Sequence, residues 1–80
     1  MNLAERSLAT AQLFRLARDP EGHQQLAEVC AAIEQALGEG RPVPGATAPV
    51  LTTLVNAQER GDLLLVADLL EYVLVPSLRR

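Results

Sequence analysis

Apolar residues recur every three to four positions through most of the chain, and one segment rich in glycine and proline interrupts the pattern. This spacing is typical of amphipathic helices. It predicts four helices over residues 3–18, 20–37, 49–60 and 62–78, with a linker over 38–48. We therefore expect a single all-α domain over residues 1–80. The expected architecture is four-helix bundle-like, with two helical hairpins joined by the Gly/Pro-rich linker.

Residues that favour helix ends mark the first hairpin. Asn2 and Glu5 have the spacing of a capping box, in which each side chain bonds to the backbone amide of the other residue. Asp19 before Pro20 predicts the start of the second helix, because Asp is a preferred N-cap and Pro fits the first helical position. Gly38 is expected to end that helix. The connection is therefore short, and the first two helices should be antiparallel.

The apolar stripe of each helix predicts its buried face. At about 100° per residue, the stripe of the first helix covers an arc of roughly 160°, which we expect to face the core. It contains Leu3, Ala9, Leu13, Phe14, Leu16 and Ala17. The second helix has a narrower stripe of Leu26, Val29, Cys30, Ile33 and Leu37. The third has Val50, Leu51, Leu54, Val55 and Ala57.

Residues that favour helix ends also mark the second hairpin. Gly61 can adopt the left-handed conformation that ends a helix, and Asp62 can cap the next one, so Arg60-Gly61-Asp62 predicts a tight turn. Pro76 lies in the last turns of the fourth helix. Because proline lacks a backbone donor, we expect it to bend or fray that end.

The apolar arc of the fourth helix is wider than one packed layer requires. Asp68, Glu71, Tyr72 and Arg79 crowd into about 100°, which leaves roughly 220° almost entirely apolar. Packing against one layer needs little more than 100°. Since three other helices can hardly surround it in so short a chain, we expect one edge of this arc to contact a second protein chain. The residues of that edge are Leu65, Leu69 and Val73, and Tyr72 borders it, so the predicted interface consists of these four residues.

Composition and charge narrow the choice of partners. A chain of 80 residues buries only about 60% of its unfolded surface, so a second copy or a partner should add stability. The net charge is −3, and all seven basic residues are arginines with no basic patch among them. Nucleic acid is therefore not expected as a partner, because phosphate binding needs such a patch.

Two further features bear on location. The longest apolar run, from Leu63 to Val75, is interrupted by Asp68 and Glu71 and is shorter than the ~20 residues that cross a bilayer, so no membrane association is expected. A single cysteine, Cys30, cannot form an internal disulfide, and the first residues lack the pattern of a signal peptide. We therefore expect a cytoplasmic protein.

Residues that could support chemistry are few. His23 has no second histidine and no Glu-x-x-His pattern, so it is expected at the edge of the core or in solvent. Cys30 lacks an activating base at helical spacing and is expected to act as a small buried hydrophobe. Asp68 and Glu71 could meet a cation, but without further oxygen ligands they favour a solvated polar face. We predict no catalytic, cofactor-binding or metal site, and hence no enzyme.

The C-terminal residues add a resemblance. Gly61-Asp62 followed by the run from Leu64 to Tyr72, with Leu74 and Pro76, is similar to small uncharacterised bacterial helical proteins. In that family an Asp-Leu-Leu-Glu-Tyr-x-Leu-x-Pro motif closes a chain of several helices. The close similarity covers about a quarter of this chain, and Val73 stands where the family usually has a glutamate. The resemblance implies a bacterial helical module and no particular catalytic activity.

These observations favour a non-enzymatic protein-interaction module that works as a homodimer, binds a protein client, or does both. A narrower alternative is a helical chaperone for export or assembly in a secretion or flagellar system, which rests on analogy of architecture. The alternative from another class is a small metal-dependent enzyme whose site is shared between subunits.

Overall fold

A computed structural model describes residues 2–41 and 47–79. Its helices are α1 (Leu3–Arg15), α2 (Asp19–Gly38), α3 (Thr47–Glu59), α4 (Leu63–Leu69) and α5 (Val75–Leu78). A π-helical segment, Leu70–Leu74, joins α4 to α5, and we call the continuous stretch over 63–78 the C-terminal helix. The described residues contain no strand. The prediction of an all-α, bundle-like fold is confirmed.

Two helices lie at the centre of the molecule. Helix α1 packs against α2 on one side and against the whole length of the C-terminal helix on the other, and α3 packs against the C-terminal helix. One apolar core runs through all of them. Its buried members are Ala11, Phe14, Leu26, Val29, Ile33, Val50, Leu54, Ala57, Val66, Ala67, Leu70 and Leu74.

Two predicted caps are present. The Asn2 side chain accepts a hydrogen bond from the Glu5 amide at 2.8 Å, and the Glu5 side chain accepts one from the Asn2 amide at 3.3 Å. Asp62 accepts from the amide of Leu65 at 3.2 Å. Each cap satisfies an amide that the first turn of a helix leaves without a partner.

The start of α2 differs from the expectation. Helix α2 begins at Asp19 itself, and Arg18 occupies the cap position without a capping side-chain bond. Asp19 and Glu21 instead place two carboxylates in the first turn, where the helix dipole favours negative charge. Pro20 still lies at the N-terminus, where its missing amide hydrogen has no consequence.

The boundaries of the predicted linker also differ. Gly38 is the last residue of α2, and the left-handed residue beyond it is Gly40, with a φ of 74°. Helix α3 begins at Thr47, two residues before the predicted start. Residues 42–46 of the predicted linker lie outside the described residues.

Helix α1 ends three residues earlier than predicted. Ala17 adopts a φ of 58°, the Arg18 amide donates to the Leu13 carbonyl at 2.9 Å, and the Ala17 amide donates to the Phe14 carbonyl at 3.1 Å. These two bonds form a Schellman motif, which normally has glycine at the left-handed position. The same pair of bonds closes α2 around Gly40 and α3 around Gly61. Because alanine favours helix, nothing in the sequence marks this end.

The buried face of α1 is the main correction to the predicted core. Its buried residues are Ala4, Ser7, Thr10, Ala11 and Phe14. Leu16, expected in the core, has 69% of its surface exposed, while Leu13 and Ala9 are only partly buried. A helix packed between two others needs small side chains on its inner face so that the backbones can approach closely.

Hydrogen bonds within α1 allow two hydroxyl groups on that inner face. Ser7 donates to the Leu3 carbonyl and Thr10 donates to the Arg6 carbonyl, each at 2.8 Å. Since both hydroxyls have partners inside the helix, their burial leaves no unsatisfied donor. Two residues that appear polar in the sequence can therefore replace the leucines in the core.

The C-terminal helix continues through Pro76 to Leu78, so its end does not fray at the proline. The helix widens before it, with the Val75 amide donating to the Leu70 carbonyl, five residues back. A proline ring clashes with the carbonyl four residues earlier in an α-helix, and the wider π turn moves that carbonyl away. The Ser77 hydroxyl donates to the Val73 carbonyl at 2.8 Å and so satisfies a backbone acceptor beside the proline.

Candidate interaction surfaces

The first candidate surface is the edge of the C-terminal helix predicted from the sequence, which we call the C-terminal strip (Leu65, Leu69, Tyr72 and Val73). Leu65 and Leu69 are partly buried and pack against the core. Tyr72 and Val73 are exposed over 66% and 37% of their surface. The fold thus covers part of this edge and leaves the half on the π-helical segment open.

The wide apolar arc of the C-terminal helix has a partial explanation within the chain. Contacts with α1 on one side and α3 on the other bury a broad inner face. This inner face consists of Val66, Ala67, Leu70, Leu74 and Val75. Apolar residues on the opposite side include Leu64, with 69% of its surface exposed.

An arginine from α1 borders the C-terminal strip. Arg15 Nη2 lies 2.9 Å from Asp68 Oδ1, and Arg15 Nε lies 3.3 Å from Glu71 Oε1. The guanidinium carbon is also 5.8 Å from the centre of the Tyr72 ring, within the range of a cation–π contact. The hydrogen bond with Asp68, together with the charge of Glu71, raises the pKa of Arg15 above its usual value.

This arrangement changes the interpretation of the two carboxylates. Asp68 and Glu71 were expected to form a solvated polar face, but each is paired with Arg15. The arginine occupies the position between them that a bound cation would need. Because Arg15 bonds to both carboxylates, each of the three charged side chains has a partner when another molecule covers the adjacent ring of Tyr72, and together the three carry a net charge of −1.

The second candidate surface is a groove that the sequence analysis missed. It runs between α1 and α2 and has a volume of about 490 Å³. We call it the α1–α2 groove. Its apolar residues come from α1, its uncharged polar residues come from both helices, and it has one charged group of each sign. The residues are Arg6, Ala9, Gln12, Leu13, Leu16, Glu21, Gln24 and Gln25.

The α1–α2 groove exists because α1 is rotated relative to the predicted arc. The small inner face of α1 packs on the core, and the helix therefore presents Ala9, Leu13 and Leu16 to the groove. A sequence signal was available: Ala4, Ser7 and Ala11 repeat at three- and four-residue spacing and form a stripe of small side chains. That stripe suits close helix packing, but a hydrophobicity pattern ranks serine and threonine as outward-facing.

His23 is partly buried at the edge of the core, which is one of the two positions that the sequence predicted for it. Its Nδ1 atom is 2.7 Å from the Gln58 amide nitrogen, and its ring meets the Phe14 ring edge-on with centroids 5.2 Å apart. The hydrogen bond connects α2 to α3 across the molecule. His23 therefore has a structural contact on both sides of its ring.

Cys30 is partly buried and packs against the core. Burial raises the pKa of its thiol, and the nearby charge of Glu34 raises it further. A thiol in this environment stays protonated at neutral pH, and the neutral form is the less nucleophilic one. This agrees with the expected role as a small apolar residue.

Residues 2–41 and 47–79 contain neither a group of side chains suited to a metal ion nor a membrane-spanning helix. Within these ranges, no three or more histidine, cysteine, aspartate or glutamate side chains are grouped so that they could bind a metal ion. No helix there has the length and apolar character needed to span a bilayer.

Comparisons with known proteins leave the family open. No protein-family model matches the chain, and no curated protein or solved structure matches it. Any functional assignment therefore depends on the surfaces described above.

Proposed function

We propose that the chain is a non-enzymatic helical interaction module that works as a homodimer and binds a further protein chain on the C-terminal strip. The observation that carries the proposal is the exposed ring of Tyr72, which continues into Val73 and the partly covered Leu69. An aromatic residue with a polar tip at the margin of an apolar surface is typical of protein interfaces.

The local backbone supports this use of the strip. Tyr72 and Val73 lie within the π-helical segment, where the turn contains one more residue than an α-helical turn. Single π turns inside α-helices occur frequently at functional sites. The segment widens the helix where both residues are exposed, while Leu70 and Leu74 of the same segment stay in the core.

The paired charges beside the strip also support binding. A partner that covers Tyr72 must remove water from the neighbouring groups, and an isolated charge would make that step costly. Arg15 already bonds to Asp68 and Glu71 at 2.9 and 3.3 Å. The partner should therefore offer an apolar surface to Val73 and Leu69 and a hydrogen-bonding group to the Tyr72 hydroxyl.

Site-specific photocrosslinking tests the strip. A benzoylphenylalanine residue replaces Tyr72 in cells that make the protein, and Leu64 is replaced in the same way as the control. Both positions belong to the C-terminal helix and are similarly exposed, at 66% and 69%, but Leu64 lies outside the strip. We expect a covalent adduct with another protein from position 72 and none from position 64.

A second variant ties the adduct to the apolar part of the strip. Leu69→Glu should abolish the adduct from position 72, because a partner would have to desolvate the new carboxylate. Circular dichroism of the variant checks that the helices remain. Equal crosslinking from positions 72 and 64, or an adduct that survives Leu69→Glu in a folded protein, would refute the strip as a binding surface.

A further inference from the structure

The apolar face that α1 turns away from the core needs an explanation. Leu16, the residue that follows the end of α1, is 69% exposed, while the buried face of α1 consists of Phe14 and four small residues. Leu13 and Ala9 lie on the same side and line the α1–α2 groove with it. Exposed large apolar residues that cluster in one groove are typical of binding surfaces, whereas scattered ones are ordinary.

The charges of the groove lie at its opposite ends. Arg6 is near the start of α1 and pairs with Glu28 of α2 at 3.6 Å. Glu21 is near the connection between the helices and pairs with Arg18 at 2.7 Å. Leu16, the residue after the end of α1, lies ten positions beyond Arg6 at the other end, which corresponds to about 15 Å at the helical rise. The rest of the rim consists of the uncharged Gln12, Gln24 and Gln25.

Such a groove is complementary to a copy of itself. A twofold axis crossing it midway between Arg6 and Leu16 would place two α1 helices side by side in opposite directions. The arginine end of each groove would then face the glutamate end of the other. Midway between residues 6 and 16 is residue 11, so Leu13 would lie opposite Ala9 of the second copy, a large side chain against a small one.

We propose that the α1–α2 groove is the surface through which two copies of this chain form the homodimer. Two contacts between Arg6 and Glu21, related by the twofold axis, would border an apolar centre of Leu13 and Ala9, with Leu16 near each end. This inference rests on the homodimer in the proposed function and adds the surface through which the two copies bind. The C-terminal strip remains open for the further protein chain.

The required contact is of reasonable size for this molecule. A stable dimer of standard size buries roughly 800 Å² on each partner. That is about a sixth of the 4707 Å² surface of the chain and requires the outer faces of both α1 and α2. Uncharged glutamines suit the margin of such an interface, since they exchange hydrogen bonds with water for hydrogen bonds across it at little cost.

Sedimentation equilibrium on the purified full-length chain tests the assignment. Leu16→Arg places a positive charge opposite Arg6 of the second copy at each end of the proposed contact, and Leu64→Arg is the matched control, because both leucines are 69% exposed. Neither residue belongs to the buried core, so both variants should keep the helical circular dichroism spectrum. We expect the wild type and Leu64→Arg to be dimers and Leu16→Arg to be a monomer.

A charge exchange tests the orientation of the two copies. Arg6→Glu sets like charges against each other at both ends and should raise the dimer Kd by roughly tenfold or more. The double variant Arg6→Glu with Glu21→Arg should restore the Kd to within about threefold of the wild type, because opposite charges meet again. Failure of the double variant to recover would contradict the antiparallel arrangement.

The outcomes separate this assignment from the proposed function. A wild-type dimer that persists in Leu16→Arg and dissociates in Leu69→Glu would overturn the groove and leave the homodimer standing on the C-terminal strip. A wild-type monomer would remove the homodimer and the groove together, while the photocrosslink from position 72 would still test the strip independently.

Discussion

Glycine and alanine residues control the local geometry at several points where helices end or touch. Gly61 and Gly40 take the left-handed conformation with φ values of 73° and 74°, and Ala17 takes it with a φ of 58°. Gly61 was predicted, because glycine marks a helix end, whereas Gly38 and not Gly40 was the residue predicted to end α2. Ala17 was not predicted, since alanine adopts this conformation only against a steric cost.

Ala17→Gly should therefore stabilise the protein. Relief of the left-handed alanine contributes about 1 kcal/mol, which the greater freedom of glycine in the unfolded chain reduces in part. The reverse change, Gly61→Ala, should destabilise by a similar amount. Urea unfolding monitored by circular dichroism measures both, and a loss of stability in Ala17→Gly would contradict the assigned end of α1.

Gly22→Ala should destabilise the protein even though alanine favours helix. A Cβ atom at Gly22 would lie 2.9 Å from Cε1 of Phe14, so the ring would have to move. Overpacking of this kind costs about 1–3 kcal/mol, which exceeds the gain of up to about 1 kcal/mol in helix propensity. The control is Gly38→Ala, where nothing lies within 4 Å of the added atom. We expect the control to be neutral or stabilising, and equal effects at both positions would count against the contact.

The thiol of Cys30 should react more slowly in the folded chain than in the chain unfolded in urea. Burial and the charge of Glu34 raise its pKa, so less thiolate is present at a given pH. The iodoacetamide rate of the folded protein should reach its half-maximum at a higher pH than that of the unfolded protein. Because the folded state holds the proton more tightly, stability should fall as pH rises past the pKa of the unfolded thiol, about 8.5. Identical pH profiles in both states would contradict the environment described for this thiol.

At the scale of the helices, the sequence predicts where the helices lie, but packing between helices determines which face of α1 is buried. The periodicity locates all four helical stretches, and the capping residues Asn2 and Asp62 act as expected. Of the predicted core face of α1, Phe14 is buried and Leu3 packs against the core, but the other positions are exposed or only partly buried. A helix between two neighbours needs small residues more than it needs leucines. The hydrophobicity pattern of a helix does not show that close packing needs small side chains on its buried face.

A pair of substitutions tests the orientation of α1. Leu16→Ala should change stability by no more than about 0.5 kcal/mol, because a change at an exposed position creates no cavity. Ala11→Leu should cost at least about 1–3 kcal/mol, since Ala11 is fully buried between helices. If Leu16 lay in the core, as the predicted arc implies, Leu16→Ala would lower the free energy of unfolding by about 2–5 kcal/mol. Chemical denaturation of the two variants distinguishes the alternatives.

The π-helical segment belongs to the same scale and could be anticipated only in part. In the sequence, Pro76 predicts an irregularity near the end of the C-terminal helix. Whether the helix bends, frays or widens depends on the neighbours. Here Leu74 before the proline and Ser77 after it are both buried, so the end of the helix stays packed and the turn before it widens instead.

At the scale of the whole molecule, the sequence predicts that the chain leaves apolar surface uncovered but does not locate all of it. The C-terminal strip follows from the width of one helical arc, and the structure keeps Tyr72 and Val73 exposed. The α1–α2 groove depends on how α1 is rotated, which is fixed by contacts between elements distant in sequence. Both surfaces lie on a chain with a radius of gyration of 11.5 Å, close to the ~12 Å expected for a compact domain of this length. We therefore propose that association joins two chains that are already folded.

The solution mass of the wild-type protein tests the central claim most directly. Sedimentation equilibrium over a range of concentrations around and above the micromolar level should give twice the 8.6 kDa of the chain, with dissociation on dilution, because the interface is formed between folded monomers. A mass of 8.6 kDa at every concentration would contradict the homodimer.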